Sequence, residues 1–264
     1  MAQPKINMQN SDPIVNALAV TPISVFGESM RGLILRTSEK NGFTNPKTIL
    51  SYAGMSPAEM ASCRPPIVKL AKLYGRTAAT FDSMGCELNS GKSSYYILGH
   101  KLNVRDVNRN LTKVCPECVR DSGIIEAFWE LRIAEACPIH KRRAISACPS
   151  CGQQLNWLRP GLLICRCGFD LSDCRGSKVT SELAISVLNM ARAKLRNESI
   201  DYPDLSHLGF TQDALKKMSF GHFMSFCKSR LHAIDHERMA RVNIFSTNSV
   251  SDPLLRLEKI FQFM

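Results

Sequence analysis

No stretch of this 264-residue chain is apolar over the ~18–20 residues that a membrane helix needs, so neither a membrane span nor a membrane partner is expected. Met1 to Ser11 is polar and lacks the apolar centre of a secretory signal. Motifs of hydrolytic and nucleotide chemistry are missing too. There is no H-E-x-x-H and no G-x-S-x-G, and Gly91-Lys92-Ser93 lacks the upstream glycine of a phosphate loop. A nucleobase deaminase needs H-x-E before P-C-x-x-C, whereas His140 is followed by Lys141 and Arg142. Tryptophan is scarce, and Trp129 and Trp157 are expected to pack inside rather than stack on bases. Acidic residues are short as well: 23 Asp and Glu stand against 34 Lys and Arg, a net charge of +11. The composition, 44% hydrophobic and 22% charged, is that of a globular chain and excludes wholesale disorder.

Cysteine, by contrast, is plentiful. Without a secretory signal the chain is expected in a reducing cytoplasm, where its eleven cysteines read as metal ligands rather than disulfides. Four tight pairs carry that reading: Cys115/Cys118, Cys137/His140, Cys148/Cys151 and Cys165/Cys167. Each pair grips an ion from one turn, and two pairs complete a tetrahedron. The spacing assigns Cys115, Cys118, Cys137 and His140 to one Zn2+ and Cys148, Cys151, Cys165 and Cys167 to a second. Crossed pairing, or Cys174 in place of Cys167, stays open. Gly152 and Gly168 follow the knuckles of the second set and let the backbone turn sharply. Four protein donors per ion leave no open position for a substrate, so both ions are expected to be structural and the protein not an enzyme. Cys63, Cys86, Cys174 and Cys227 are scattered and read as small buried hydrophobes.

The charge is uneven. Residues 1–114 hold 14 basic and 7 acidic residues, 115–177 hold 8 and 7, and 178–264 hold 12 and 9. Filling both sites turns seven thiols into thiolates against two divalent ions, which takes the middle segment from +1 to about −2. Attraction to a phosphate backbone is therefore expected from the N-terminal third. Lys141-Arg142-Arg143, beside His140, reads equally as a partner-facing cluster or a solvated turn.

The fold class expected is mostly α with small β, in four parts. Residues 1–22 form a flexible arm, 23–114 an N-terminal helical region resembling a helix-turn-helix, 115–176 a double zinc ribbon or knuckle module, and 177–264 a C-terminal helical region. Helices are expected from Glu28 to Asn41, from Thr44 or Asn45 to Tyr52, and from Ser56-Pro57 to before Pro65. Ile67, Leu70, Ala71 and Tyr74 share a helix face, Gly75 turns the chain, and Thr77 opens a second stretch with Phe81 and Met84 inward. A helix-turn-helix needs that arrangement, although Arg76 stands where an apolar turn residue usually packs; an ordinary helical hairpin is the alternative. On the first reading Lys69, Lys72, Arg76, Thr77 and Thr80 face DNA, mostly at phosphates. Residues 85–114 read as a connector with basic Lys101, Arg105, Arg109 and Lys113. Thr180–Leu195, Thr211–Lys217, Ser219–Ile234 and Asp252–Phe261 are further expected helices.

The run CPEC, Trp129, CPIH, CPSCG and CRCGFDL, with Glu28-Ser29-Met30 to Asn41-Gly42-Phe43 and Ile67 to Gly75, resembles the TniQ family of transposition proteins, relatives of the target-site selector TnsD. The resemblance spans roughly residues 20–176. It implies a bacterial, cytoplasmic, non-enzymatic adaptor that links target DNA or a CRISPR RNA-guided effector complex to an AAA+ ATPase recruiting the transposase. The modest length favours docking on a guide complex. A second copy of the chain is a further candidate partner. Rival readings are a stand-alone zinc-containing transcription regulator and, behind it, a zinc-dependent nuclease.

Overall fold

The computed structural model describes residues 18–61, 67–84, 94–203, 206 and 211–227. Its centre is helix α1, Met30–Lys40. Ser29 caps it by accepting from the Gly32 amide, and Asn41 closes it with amide bonds back to Thr37 and Glu39. The expected stripe of Met30, Leu33, Ile34 and Leu35 is buried, but so are Arg31, Gly32, Arg36, Thr37 and Ser38. A helix buried all round is an interior helix, not a surface one. The arm that leads to it is pinned where it is described. Asn41 accepts from the Val20 amide at 3.0 Å and returns a bond to the Val20 carbonyl at 2.7 Å.

Burying two arginines on one helix demands partners. Arg31 is paired with Glu130, the two side chains 0% and 4% exposed, and Ser29 and the Tyr95 hydroxyl also donate to that carboxylate. Arg36 grips Glu28 through two bonds of 2.8 and 2.7 Å. Burial nonetheless raises the Glu28 carboxyl above its ordinary range, against the opposing pull of Arg36. Backbone pairing locks the same region. The Ser29 amide donates to Ile125 at 2.9 Å, and the Ala127 amide donates to Gly27 at 2.8 Å. A Cβ on Gly32 would meet the Ile125 carbonyl at 3.0 Å, so a residue without a side chain permits this approach.

Two short helices follow, α2 (Lys47–Tyr52) and α3 (Pro57–Ala61), the latter opened by reciprocal bonds between Ser56 and Glu59. Then α4, Ile67–Leu73, turns at Gly75 (φ +60°) into a 3-10 helix, Ala78–Met84. The second arm of the expected helix-turn-helix is thus not α-helical. Ala78, Phe81 and Met84 are spaced by three, which a three-residue turn lines up on one face. Phe81 and Met84 are buried, Ala78 packs against the core, and Phe81 meets Tyr74 edge to face.

The stretch read as a connector contains a hairpin. β1, Ser94–Ile97, pairs with β2, His100–Asn103, across Leu98 and Gly99, both at positive φ. Tyr95, Ile97 and Leu102 point inward. Pro116 then starts α5, Pro116–Ser122, which stops at Gly123 (φ +68°). A second hairpin pairs β3, Ala136–Cys137, with β4, Arg142–Arg143. Helix α6, Glu182–Leu195, capped by Ser181, lies against β3 and against the 3-10 turn Ala127–Glu130. Its C-terminal neighbours are α7, Gln212–Lys217, and a helical run over 220–227. One contiguous hydrophobic core takes residues from all these parts, including Trp129 and Trp157 as expected. Cys227 is fully buried and Cys174 half-buried. Cys63, Cys86, the rest of the Ser219–Ile234 helix and the Asp252–Phe261 helix lie outside the described residues.

Replacing Glu130 by Ala is expected to cost about 3–5 kcal/mol in chemical denaturation, because Arg31 is left buried and charged without its carboxylate. The double change Arg31→Met with Glu130→Leu is expected to recover most of that loss.

Candidate metal centres

Cys115 is the extended N-cap residue of α5 and Cys118 lies in its first turn, so the helix start presents both sulfurs on one side. Cys137 ends β3, and the tight turn into β4 brings His140 back beneath it, its amide 3.3 Å from the Cys137 sulfur. The His140 Nδ1 then lies 3.5, 3.2 and 3.4 Å from the sulfurs of Cys115, Cys118 and Cys137. The expected first set is therefore assembled, but from a helix start and a hairpin rather than from two ribbon knuckles. Pro116 and Gly123, which begin and end α5, were the overlooked signal.

The second set is built from two similar turns. The Cys148 amide donates to Gln153, and the Gly152 amide donates to Cys148, both at 2.9 Å. The Cys165 amide donates to Phe169, and the Gly168 amide donates to Cys165, at the same distance. Gly152 and Gly168 take φ of +70° and +86°, which favours glycine at each bend. The sulfurs of Cys148 and Cys167 are 3.7 Å apart, and those of Cys151 and Cys165 are 3.8 Å apart.

In each cluster the four donor atoms lie within 4.8 Å of one another, grouped as the spacing assigned them and without crossing. Cys174 belongs to neither. A tetrahedral ion with metal–sulfur bonds of ~2.3 Å has sulfur–sulfur edges of about 3.8 Å and slightly shorter sulfur–nitrogen edges. The observed separations fit that polyhedron, so each cluster could hold one metal ion. Electrostatics argues the same way for the first set. Bonds from the thiols of Cys118 and Cys137 lower the Cys115 pKa, and the same hydrogen bonds to Cys115 raise both neighbours. Only a cation lets all three ionise together.

Around the first cluster, Asp121 places a carboxylate oxygen 3.4 Å from the His140 Nε2. That contact aims Nδ1 at the sulfurs. Sequence spacing had not singled out Asp121, although it sits three residues after Cys118 on the same helix. The two clusters are also tied together. Val114, just before Cys115, exchanges backbone bonds of 3.0 and 2.8 Å with Ile145, just before Cys148, and the Thr112 amide donates to Leu155 at 3.0 Å. Arg159, fully buried, donates to the carbonyls of Asn156, Gly161 and Leu162 and so holds the loop of the second cluster. Burial lowers its pKa to about 10, against the opposing field of Glu39. Glu39 of α1 accepts from the Leu162 amide at 3.2 Å, and a Cβ on Gly161 would strike it at 2.2 Å.

The expected DNA-facing residues are more compromised. Lys69 is engaged with Glu59 at 2.8 Å and with the Gly54 carbonyl at 2.7 Å. Arg76 is half-buried, while Lys72, Thr77 and Thr80 are exposed. Lys113 is buried against Glu135 at 2.6 Å and is no surface cation. Lys141 and Arg142 turn to Glu182 and Glu117, and the Arg143 amide donates to Ser177. The triplet after His140 thus braces β4 against neighbouring chain.

Elemental analysis of the purified chain is expected to return two equivalents of metal, and one after Cys148→Ser, with local unfolding around residues 146–171. A chelator titration is expected to empty the second cluster first, because Cys151 and Cys167 are exposed. Asp121→Asn is expected to speed metal loss from the first cluster about 10-fold, read by a colorimetric chelator.

No curated protein matches the chain. The model of the TniQ family matches residues 19–144, from the approach to α1 through the first cluster, and stops short of Cys148. With its interior α1 and its Cys3His cluster, this segment of the chain is similar to a TniQ domain.

Proposed function

We propose that the protein is a non-catalytic adaptor of transposition target selection, stabilised by two structural Zn2+ ions. In this reading it links target DNA or a CRISPR RNA-guided effector complex to an AAA+ ATPase that recruits the transposase. The observation that carries it is the similarity to a TniQ domain over residues 19–144. The clusters support it, because four protein donors complete each tetrahedron and leave no position at which an ion could activate water. Zinc suits three thiolates with one imidazole, and four thiolates, better than the harder divalent ions do.

The transcription-regulator reading draws less support. Its recognition element would be a seven-residue 3-10 helix, and such helices offer a shorter, poorer platform for base reading than an α-helix in the major groove. Docking faces for protein partners are drawn from α6, α7 and the surface of the metal clusters. A second copy of the chain remains among the partners proposed.

Tagged full-length protein, pulled down from its native host with nuclease added, is expected to retain an AAA+ ATPase, with or without subunits of a guide complex. Retention of neither, together with tight sequence-specific duplex binding, would favour the regulator. A Cys148→Ser protein that stays folded and metal-loaded but loses phosphodiester cleavage would favour the nuclease.

A further inference from the structure

Among the described residues, several cations are held by carboxylates of the same chain. Arg31 and Arg36 are buried on carboxylates, Lys113 on Glu135, and Arg192 and Arg196 on Glu126 and Glu198. Lys69, Lys141 and Arg142 face Glu59, Glu182 and Glu117. One ledge differs. It begins on β2, where Leu102 is buried and Lys101 and Asn103 alternate outward. Asn103 then caps the 3-10 turn Val104–Asp106 by accepting from the Arg105 amide at 2.9 Å, which fixes exposed Arg105 beside the strand end.

The chain next pairs with the segment behind the first metal cluster. Val107 bridges Leu131, the Asn108 amide donates to Glu130 at 2.7 Å, and the Arg132 amide donates to Asp106 at 2.9 Å. Val107 and Leu131 are both buried, so their side chains set the inward direction, and exposed Arg132 turns the other way beside Asp106. Lys101, Arg105 and Arg132 are exposed and make no ion pair among the described residues. Exposed Arg109 continues the same stretch. Among carboxylates nearby, Glu130 is buried on Arg31, Glu135 is held by Lys113, and Asp106 is half-buried.

We propose that this ledge, Lys101, Arg105 and Arg132 interleaved with Asn103 and Asn108, binds the phosphate backbone of a nucleic acid. Guanidinium forks match phosphate oxygens, and amide side chains add sugar and phosphate contacts. An acidic protein would fit less well. Protein interfaces centre on a buried apolar patch, and here exposed apolar area is limited to Leu111 at the far end. The ledge also explains where the basic excess of residues 1–114 acts, now that the α4 hairpin is partly neutralised. The inference deepens the adaptor reading by naming the face that meets nucleic acid, and it rests on that reading only for the biological source of the strand.

The test measures binding of the full chain to a random-sequence duplex and to a single-stranded RNA by fluorescence anisotropy across salt. Lys101→Gln/Arg105→Gln/Arg132→Gln is compared with Lys69→Gln/Lys72→Gln. The first variant is expected to lose roughly 10- to 100-fold in affinity at low salt, with the duplex salt slope falling by about three. The second is expected to change affinity less than threefold. Metal content and melting temperature should match the parent in both, since every altered side chain is exposed. Parental binding by the triple variant, or loss of binding confined to the α4 variant, overturns the proposal. So does loss of a captured protein partner with nucleic-acid binding intact, which would assign the ledge to an acidic protein. Because the ATPase pull-down is read with nuclease present, its failure speaks against the adaptor reading and leaves the ledge standing.

Discussion

Four donor atoms held within 4.8 Å of one another are the constraint on which this fold turns. Cys115, Cys118, Cys137 and His140 come from a helix start and a hairpin, elements too short to hold themselves. Nothing in their apolar packing alone would draw three thiols so close. A bound cation would do so, since it turns mutual repulsion into shared attraction and makes metal binding part of the folding free energy. The second cluster repeats the device on two glycine-assisted turns and is joined to the first through Val114 and Ile145.

What the first cluster anchors is the middle of the molecule. The segment between Cys118 and Cys137 runs from α5 through Ile125 to Glu130 and back to β3. On it sit the backbone bonds to Gly27 and Ser29, the carboxylate that neutralises Arg31, and the Glu126 carboxylate that holds Arg192 of α6 at 2.7 and 2.6 Å. Helix α1 and helix α6 therefore dock on one strip framed by the first Cys/His cluster. Glu39 extends the dependence to the second cluster by accepting from Leu162. The buried ion pairs contribute less to net stability than their number suggests, because each carries its desolvation cost. Their effect is positional: each charge tolerates one partner and so one docking.

Legibility from sequence followed the range of the interactions. The eight ligands were readable because paired donors and flanking glycines are local patterns. The bounds of α1 and α6 were readable from caps and periodicity. The hairpin at Ser94–Asn103 is less legible: Tyr95 and Ile97 alternate and Leu98-Gly99 marks a turn, but the surrounding stretch is mixed and glycine-containing and reads as a connector. The buried charges were not readable. Arg31 lies 99 residues from Glu130 and Arg192 lies 66 from Glu126, and no local pattern separates such residues from surface cations. Lys113 and Arg159 were misplaced or missed for that reason. The α4 hairpin shows the reverse error: a plausible local pattern in which apolar residues at a spacing of three select a 3-10 turn over a second α-helix.

The account stands on the claim that the metal clusters hold the docking of α1 and α6 and are more than local ornaments. Hydrogen exchange of the full chain before and after metal removal by a chelator measures this most directly. Protection is predicted to fall together in three places: around the ligands, at Leu33–Leu35 of α1, and at Val187–Ala191 of α6. If exchange rises only within residues 115–140 and 146–171 while both helices keep their protection, the clusters do not organise the fold and the account is wrong.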